Sequence, residues 1–301
     1  MRKLLLVVGV AALAACSDTP TSPSQLNPKS LAPAAALAAG NTVQVVTESD
    51  VTRQAENTPP TNNWVLYTRA LGLGDFVVGP AAPPLGVGSF RTQTPATGDK
   101  VFLFNYDHVG TVLADITGIS YSTYKTATAA SPAFPALNVQ IDIDGGTLGA
   151  GEFRTFVWEP YQQPGFVNST GVWESRDAYN GGAGKWWSTT GGLAGAATGG
   201  ARGCGQNTPC TWTDLLAAFP GASIVGGFGI NQGSGNPGID GSTDALSIAY
   251  GGNSVTYDFE PYAVATTKDS CKDGGWETVK RADGSSFKNQ GDCVSYVNNG
   301  K

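Results

Sequence analysis

From Thr42 onward the chain is punctuated: apolar and β-branched runs of four to eight residues recur between clusters of Gly, Pro and Asn. Runs this short, bounded by turn formers, read as strands. Nine such strands are predicted, at residues 63–70, 87–94, 100–106, 118–124, 137–143, 153–159, 222–230, 246–250 and 254–259. In Leu137-Asn138-Val139-Gln140-Ile141-Asp142-Ile143 the apolar side chains point one way and the polar ones the other, which predicts a sheet covered on one face. With 41 Gly, 18 Pro and only 14% charged residues, the chain offers few of the Ala, Leu, Glu and Lys periods that long helices need. One short helix is legible: Thr211 can cap it, Asp214 stands where a capping box needs an acid, Leu215, Leu216 and Phe219 form its apolar side, and Pro220 stops it. Together these features predict an all-β fold, a two-sheet β-sandwich of the jelly-roll kind over residues 42–262, with one short helix. Neither the repeat of a propeller nor that of a β-helix is present.

The N-terminus carries an export signal. Arg2 and Lys3 precede an apolar stretch over 4–12 and the small-residue site Leu13-Ala14-Ala15-Cys16. An apolar run this short falls below the roughly 20 residues that span a bilayer, so residues 1–16 read as a cleaved segment. Leu-Ala-Ala-Cys resembles a bacterial lipobox, which implies that Cys16 is lipidated and begins the mature protein. Ser17 follows, with no aspartate at that place, and the resemblance then implies the outer membrane of a cell envelope. Residues 17–41 are Ser/Thr/Pro-rich and then Ala-rich, a flexible tether.

The other four cysteines lie in two close pairs. In an oxidising compartment three connectivities are open, and sequence proximity favours Cys204 with Cys210 and Cys271 with Cys293. The competing zinc site would lack any CxxC pair and would have only His108 to draw on. The segment 263–301 changes character: Cys271-Lys-Asp-Gly-Gly-Trp276 and Phe287-Lys-Asn-Gln-Gly-Asp-Cys293 resemble a small C-terminal element that recurs on exported bacterial proteins. So small a unit would depend on its disulfide staple. The stretches Gly79-Pro80, Pro83-Pro84-Leu85-Gly86, Ile119-Ser-Tyr-Ser-Thr123, Asp244-Ala-Leu246 and Thr256-Tyr-Asp-Phe-Glu-Pro261 are similar to an uncharacterised family of secreted β-sandwich lipoproteins. At the level of shape the pattern is also similar to carbohydrate-binding jelly rolls.

A formal net charge of −6 without any Lys/Arg cluster argues against nucleic acid as a partner. The densest unusual segment runs from Gly171 to Trp187. It places Trp173, Tyr179, Trp186 and Trp187 beside Arg176 and Asp177, rings and polar groups of the kind that stack on and orient a sugar. If 185–188 is a strand, Trp186 and Trp187 must point to opposite faces. The bland alternative is that all three tryptophans fill the core. Asp142 and Asp144, running into Gly145-Gly146, have oxygens that suit a hard cation, and Asp244 resembles a late aspartate that some carbohydrate-binding jelly rolls use for calcium. Structural calcium is the one cofactor suggested, although Asp-x-Asp-Gly also closes plain strand-end turns. Glu152, Glu159, Glu174 and Asp177 are the acids a glycosidase would have to use. A Ser-His-Asp device would need His108, and no Gly-x-Ser-x-Gly elbow accompanies it. The leading expectation is a non-catalytic, envelope-anchored binding domain for a glycan or cell-wall polymer. The alternatives are a polysaccharide-active hydrolase or lyase, and a structural or adhesive envelope protein without a small ligand.

Overall fold

A computed structural model describes residues 39–126, 131–190, 192–193 and 203–299; Cys16, the signal and nearly all of the tether lie outside them. In chain order the strands are β1 (Asn41–Val46), β2 (Val51–Ala55), β3 (Trp64–Arg69), β4 (Leu73–Val78), β5 (Gly88–Thr94), β6 (Lys100–Asn105), β7 (Ile116–Lys125) and β8 (Ala136–Asp142). They continue with β9 (Phe153–Trp158), β10 (Trp173–Asp177), β11 (Lys185–Ser188), β12 (Cys210–Thr211), β13 (Ser223–Gln232), β14 (Ile239–Tyr250) and β15 (Asn253–Phe259). Two sheets result. The second has the order β12-β11-β9-β8-β13-β6-β3-β2. In the first, β14 carries β7 and then β10 on one side, and on the other β5 followed along its length by β15.

At the centre, β5-β14-β7-β10 faces β6-β13-β8-β9. Through these eight strands the chain changes sheet after β5, β6, β7, β9, β10 and β13, which is the strand order of a jelly roll. Each sheet turns one set of alternate residues inward. The row Leu66, Leu103, Ile230, Leu137, Trp158 and Trp186 runs across six strands in register, and every member is buried. Opposite it stand Phe90, Ile119, Tyr121, Leu246, Ile248, Tyr257 and Phe259 of the first sheet. Edge-to-face contacts such as Trp64 on Tyr257, with ring centroids 4.9 Å apart, lock the layers together.

The predicted helix is α1 (Trp212–Ala218). Thr211 accepts the Asp214 N–H, and Asp214 reaches back to the Thr211 N–H, a complete capping box. Its inner face buries Trp212 and Leu215. The Cys204–Cys210 disulfide closes the loop just before it. The tail has a core of its own in Ala265, Cys271, Val279, Phe287 and Cys293, stapled by the Cys271–Cys293 disulfide. It corrects the expectation of a single helix. A second, α2 (Gln290–Asn299), carries Cys293 on its buried side. Its apolar pattern is too weak to be read from ten residues that begin Gln-Gly-Asp.

Candidate functional site

The structure disperses the aromatic segment. Trp186 faces inward and packs on Trp212 at 5.3 Å, while Trp187 points to the outside of the second sheet, so the two do take opposite faces. Trp173 pairs with Tyr124, which alternates with the core residue Tyr121, and therefore lies on the outside of the first sheet. Its indole N–H donates to the Pro80 carbonyl at 2.8 Å. The Arg176 guanidinium lies over the Phe134 ring and bonds Glu174 and Thr123. Asp177 accepts the Asn180 N–H and closes a turn, and Tyr179 packs against Trp212. The expected shared platform of Trp173, Arg176, Asp177, Tyr179 and Trp186 or Trp187 is thus corrected. Strand alternation and the thickness of the sandwich separate its members.

A different constellation gathers on the outer face of the second sheet. The register row Val65, Phe104, Gly229, Asn138, Val157 and Trp187 points outward, flanked by Tyr67 and Phe102 on one side and Gln140 and Thr155 on the other. β8 is consequently buried on both faces, against the expectation of one covered face. Phe102 and Phe104 lie 4.9 Å apart, and the Asn231 amide donates to Asn138. Gly227 has no side chain and lies against Phe104, and its N–H donates to Gln140 Oε1. Where a solvated sheet would carry charges, the middle of this face carries rings and amides.

At one margin of that face, Glu159 Oε2 accepts the Trp187 indole N–H at 2.9 Å and the Tyr161 hydroxyl at 3.0 Å. Burial pushes this carboxyl up to about 7, although hydrogen bonds from Tyr161, Trp187 and Gln206 pull it down. Asp142 stands on the same face at the far end, paired with Phe153. Six strand residues separate the two acids, about 20 Å, well outside the spacing of a glycosidase pair. Glu174 and Asp177 belong to the first sheet.

The cation candidates also divide. Asp142 and Asp144 come together with Glu152, each offering a carboxylate oxygen within 4.8 Å of the others. Asp244 does not join them. It lies in the first sheet, and its two oxygens accept the Leu85 N–H at 2.9 Å and the Phe259 N–H at 3.1 Å. Burial raises its carboxyl to about 6. Nearby, Glu260 Oε1 takes the N–H groups of Val87 and Gly88 at 2.6 and 2.9 Å, and its carboxyl abuts that of Asp258. Burial pushes both acids up, Glu260 to about 7, and the Asp258 carboxyl adds to the rise of Glu260. Three of the sequence stretches singled out above, 79–86, 244–246 and 256–261, therefore meet in one buried fastening. His108 is a core residue: Tyr250 and Tyr257 hydroxyls stand 3.1 and 2.9 Å from its two ring nitrogens, and burial holds the imidazole down at about 3.

The rings and amides of the outer face escaped the sequence argument, yet a signal was present. Val65-Leu66-Tyr67 and Val101-Phe102-Leu103-Phe104 are apolar at every position, the mark of strands covered on both faces. The chain matches no protein-family model, and comparison with curated proteins finds no relative.

Proposed function

We propose that this chain is an exported lipoprotein, held to the cell envelope through Cys16, whose second sheet binds a glycan or cell-wall polymer on its outer face. The observation that supports the binding reading is the composition of that face: Tyr67, Phe102, Phe104 and Trp187 interleaved with Asn138 and Gln140. Sugar rings present apolar C–H faces to aromatic rings and hydroxyls to amides, and the one ammonium at this patch, Lys100, lies over the Phe102 ring. These residues are under a tenth exposed, so on this reading the polymer must displace what overlies the face, and any truncation also removes buried apolar contacts. The test is a glycan and cell-wall array probed with the purified protein, followed by a Phe102→Leu, Phe104→Leu double variant. Loss of at least about tenfold in affinity is expected at a temperature where the variant still unfolds cooperatively, after a stability loss of about 1–3 kcal/mol. No binding by the native protein, or equal binding by the variant, rejects the assignment.

One observation favours a second reading, that of a structural or adhesive envelope protein. Trp64, Trp158, Trp186, Trp187 and Trp212 are all buried, and Trp173 and Trp276 are half-buried. An array without any binder would put that reading in front.

The anchor is tested separately. Cys16→Ser is expected to move the protein from the membrane to the soluble fraction, because acylation is the only hold proposed; continued membrane fractionation would count against it.

A further inference from the structure

We infer that the turn between β8 and β9 is a calcium site made by Asp142, Asp144 and Glu152. The inference does not depend on the glycan reading. The three carboxylates approach to within 4.8 Å of one another, and the guanidinium in the same turn, that of Arg154, donates to the Gly151 and Phe153 carbonyls. Like charges this close repel unless something positive lies between them.

The hydrogen bonds of the turn leave one oxygen of each acid unused. Asp142 Oδ1 accepts the Asp144 N–H at 3.3 Å, Asp144 Oδ1 accepts the Gly146 N–H at 3.2 Å, and Glu152 Oε2 accepts the Gly149 N–H. Each carboxylate is thereby fixed in orientation by backbone. The decisive group is Asp142. The residue is 1% exposed, and Oδ2 is buried without a donor, facing the Asp144 carboxyl. A buried carboxylate oxygen left without a donor is costly, and a cation shared with Asp144 and Glu152 removes that cost.

The chemistry selects the ion. Three carboxylates make an all-oxygen, hard donor set without nitrogen or sulfur. They are carried on a turn that includes Gly145, Gly146, Gly149 and Gly151, which suits the larger, irregular shell of calcium better than the strict octahedron of magnesium. Asp144 is exposed and Glu152 half-buried, so water can complete the shell from outside. The ion would pin the β8–β9 hairpin at the end of the outer face opposite Glu159.

The test uses the whole chain, stripped with chelator and titrated with calcium chloride by calorimetry and thermal denaturation. One ion per chain is expected, with Kd on the order of 10⁻⁴ M, as in extracellular modules, and a rise of a few degrees in Tm that magnesium at equal concentration does not give. Asp144→Asn and Glu152→Gln should each weaken calcium binding about tenfold or more. Both lie at or near the surface, so Tm in chelator should stay level or rise as repulsion is relieved. No heat and no Tm shift at about 5 mM calcium, some tens of times the expected Kd, would overturn the site. So would binding that survives the Asp144→Asn, Glu152→Gln double variant.

Discussion

Gly86 shows how far one residue can be determined by its neighbours. Its φ of +51° lies in the left-handed region, and a Cβ there would collide with Glu260 Oε1, the atom that holds the Val87 and Gly88 N–H groups. Gly98 has a φ of +95° with open space around it. Gly86→Ala should therefore cost about 2–4 kcal/mol and Gly98→Ala about 1 kcal/mol, since only the first adds a buried clash to the backbone strain. Urea midpoints of the two variants measure the difference, and equal losses would mean that the 79–88 segment can move away from Glu260. The same scale shows what residue types conceal. That Trp186 and Trp187 take opposite faces follows from a period of two, but nothing in their identities says that the outward one is also covered. Asp142, Asp144 and Asp244 look alike in sequence; only the fold gives the first two a common partner in Glu152 and spends the third on backbone N–H groups.

At the scale of elements, the strands that were legible are those whose side chains face the core. All nine predicted strands exist, β3, β5–β9 and β13–β15, and α1 starts and stops where its cap and Pro220 place it. Most of the unread elements share a physical reason, while β11 is buried but only four residues long. β1 and β2 lie at sheet edges with few buried residues, and β10, Trp-Glu-Ser-Arg-Asp, has none. The first half of β14, Ile-Asp-Gly-Ser-Thr-Asp, is polar in sequence yet mostly buried, because it runs between β5 and β7 and hydrogen-bonds to both. Its polarity is the consequence of tertiary placement overriding local propensity. Sheet order has no local signal at all. The jelly-roll arrangement joins β5 to β14 across some 150 residues, as in the Arg91–Asp240 ion pair, which no window of sequence contains. The outer face of the second sheet is a product of the same order, since its rings and amides come from five separate strands.

Among the described residues, five acids sit where burial opposes ionisation. Burial raises Asp142, Glu159, Asp244, Asp258 and Glu260, with Glu159 and Glu260 reaching about 7 and Asp244 about 6. For the three whose values are set, Glu159, Glu260 and Asp244, the unfolded chain has released its protons above about 4.5 while the folded chain keeps them to about 6 or 7. Folding then binds protons, and stability must fall as pH rises from about 4.5 to about 7, with no further loss from these groups beyond. For the fully buried Glu159 alone the difference approaches about 3 kcal/mol. His108 acts in the other sense. Held at about 3 in the fold against 6.5 free, it contributes stability that is complete above pH 6.5 and is lost as pH drops toward 3. One histidine opposes several carboxyls between pH 4.5 and 6.5, so the sum favours mild acid. Melting temperature should be higher at pH 5 than at pH 8, the reverse of what acid-labile ion pairs would give, and Glu159→Gln should flatten the slope without abolishing it. A melting temperature that climbs steadily from pH 5 to pH 8 would show that the buried carboxyls are ionised in the fold, each compensated by a positive partner.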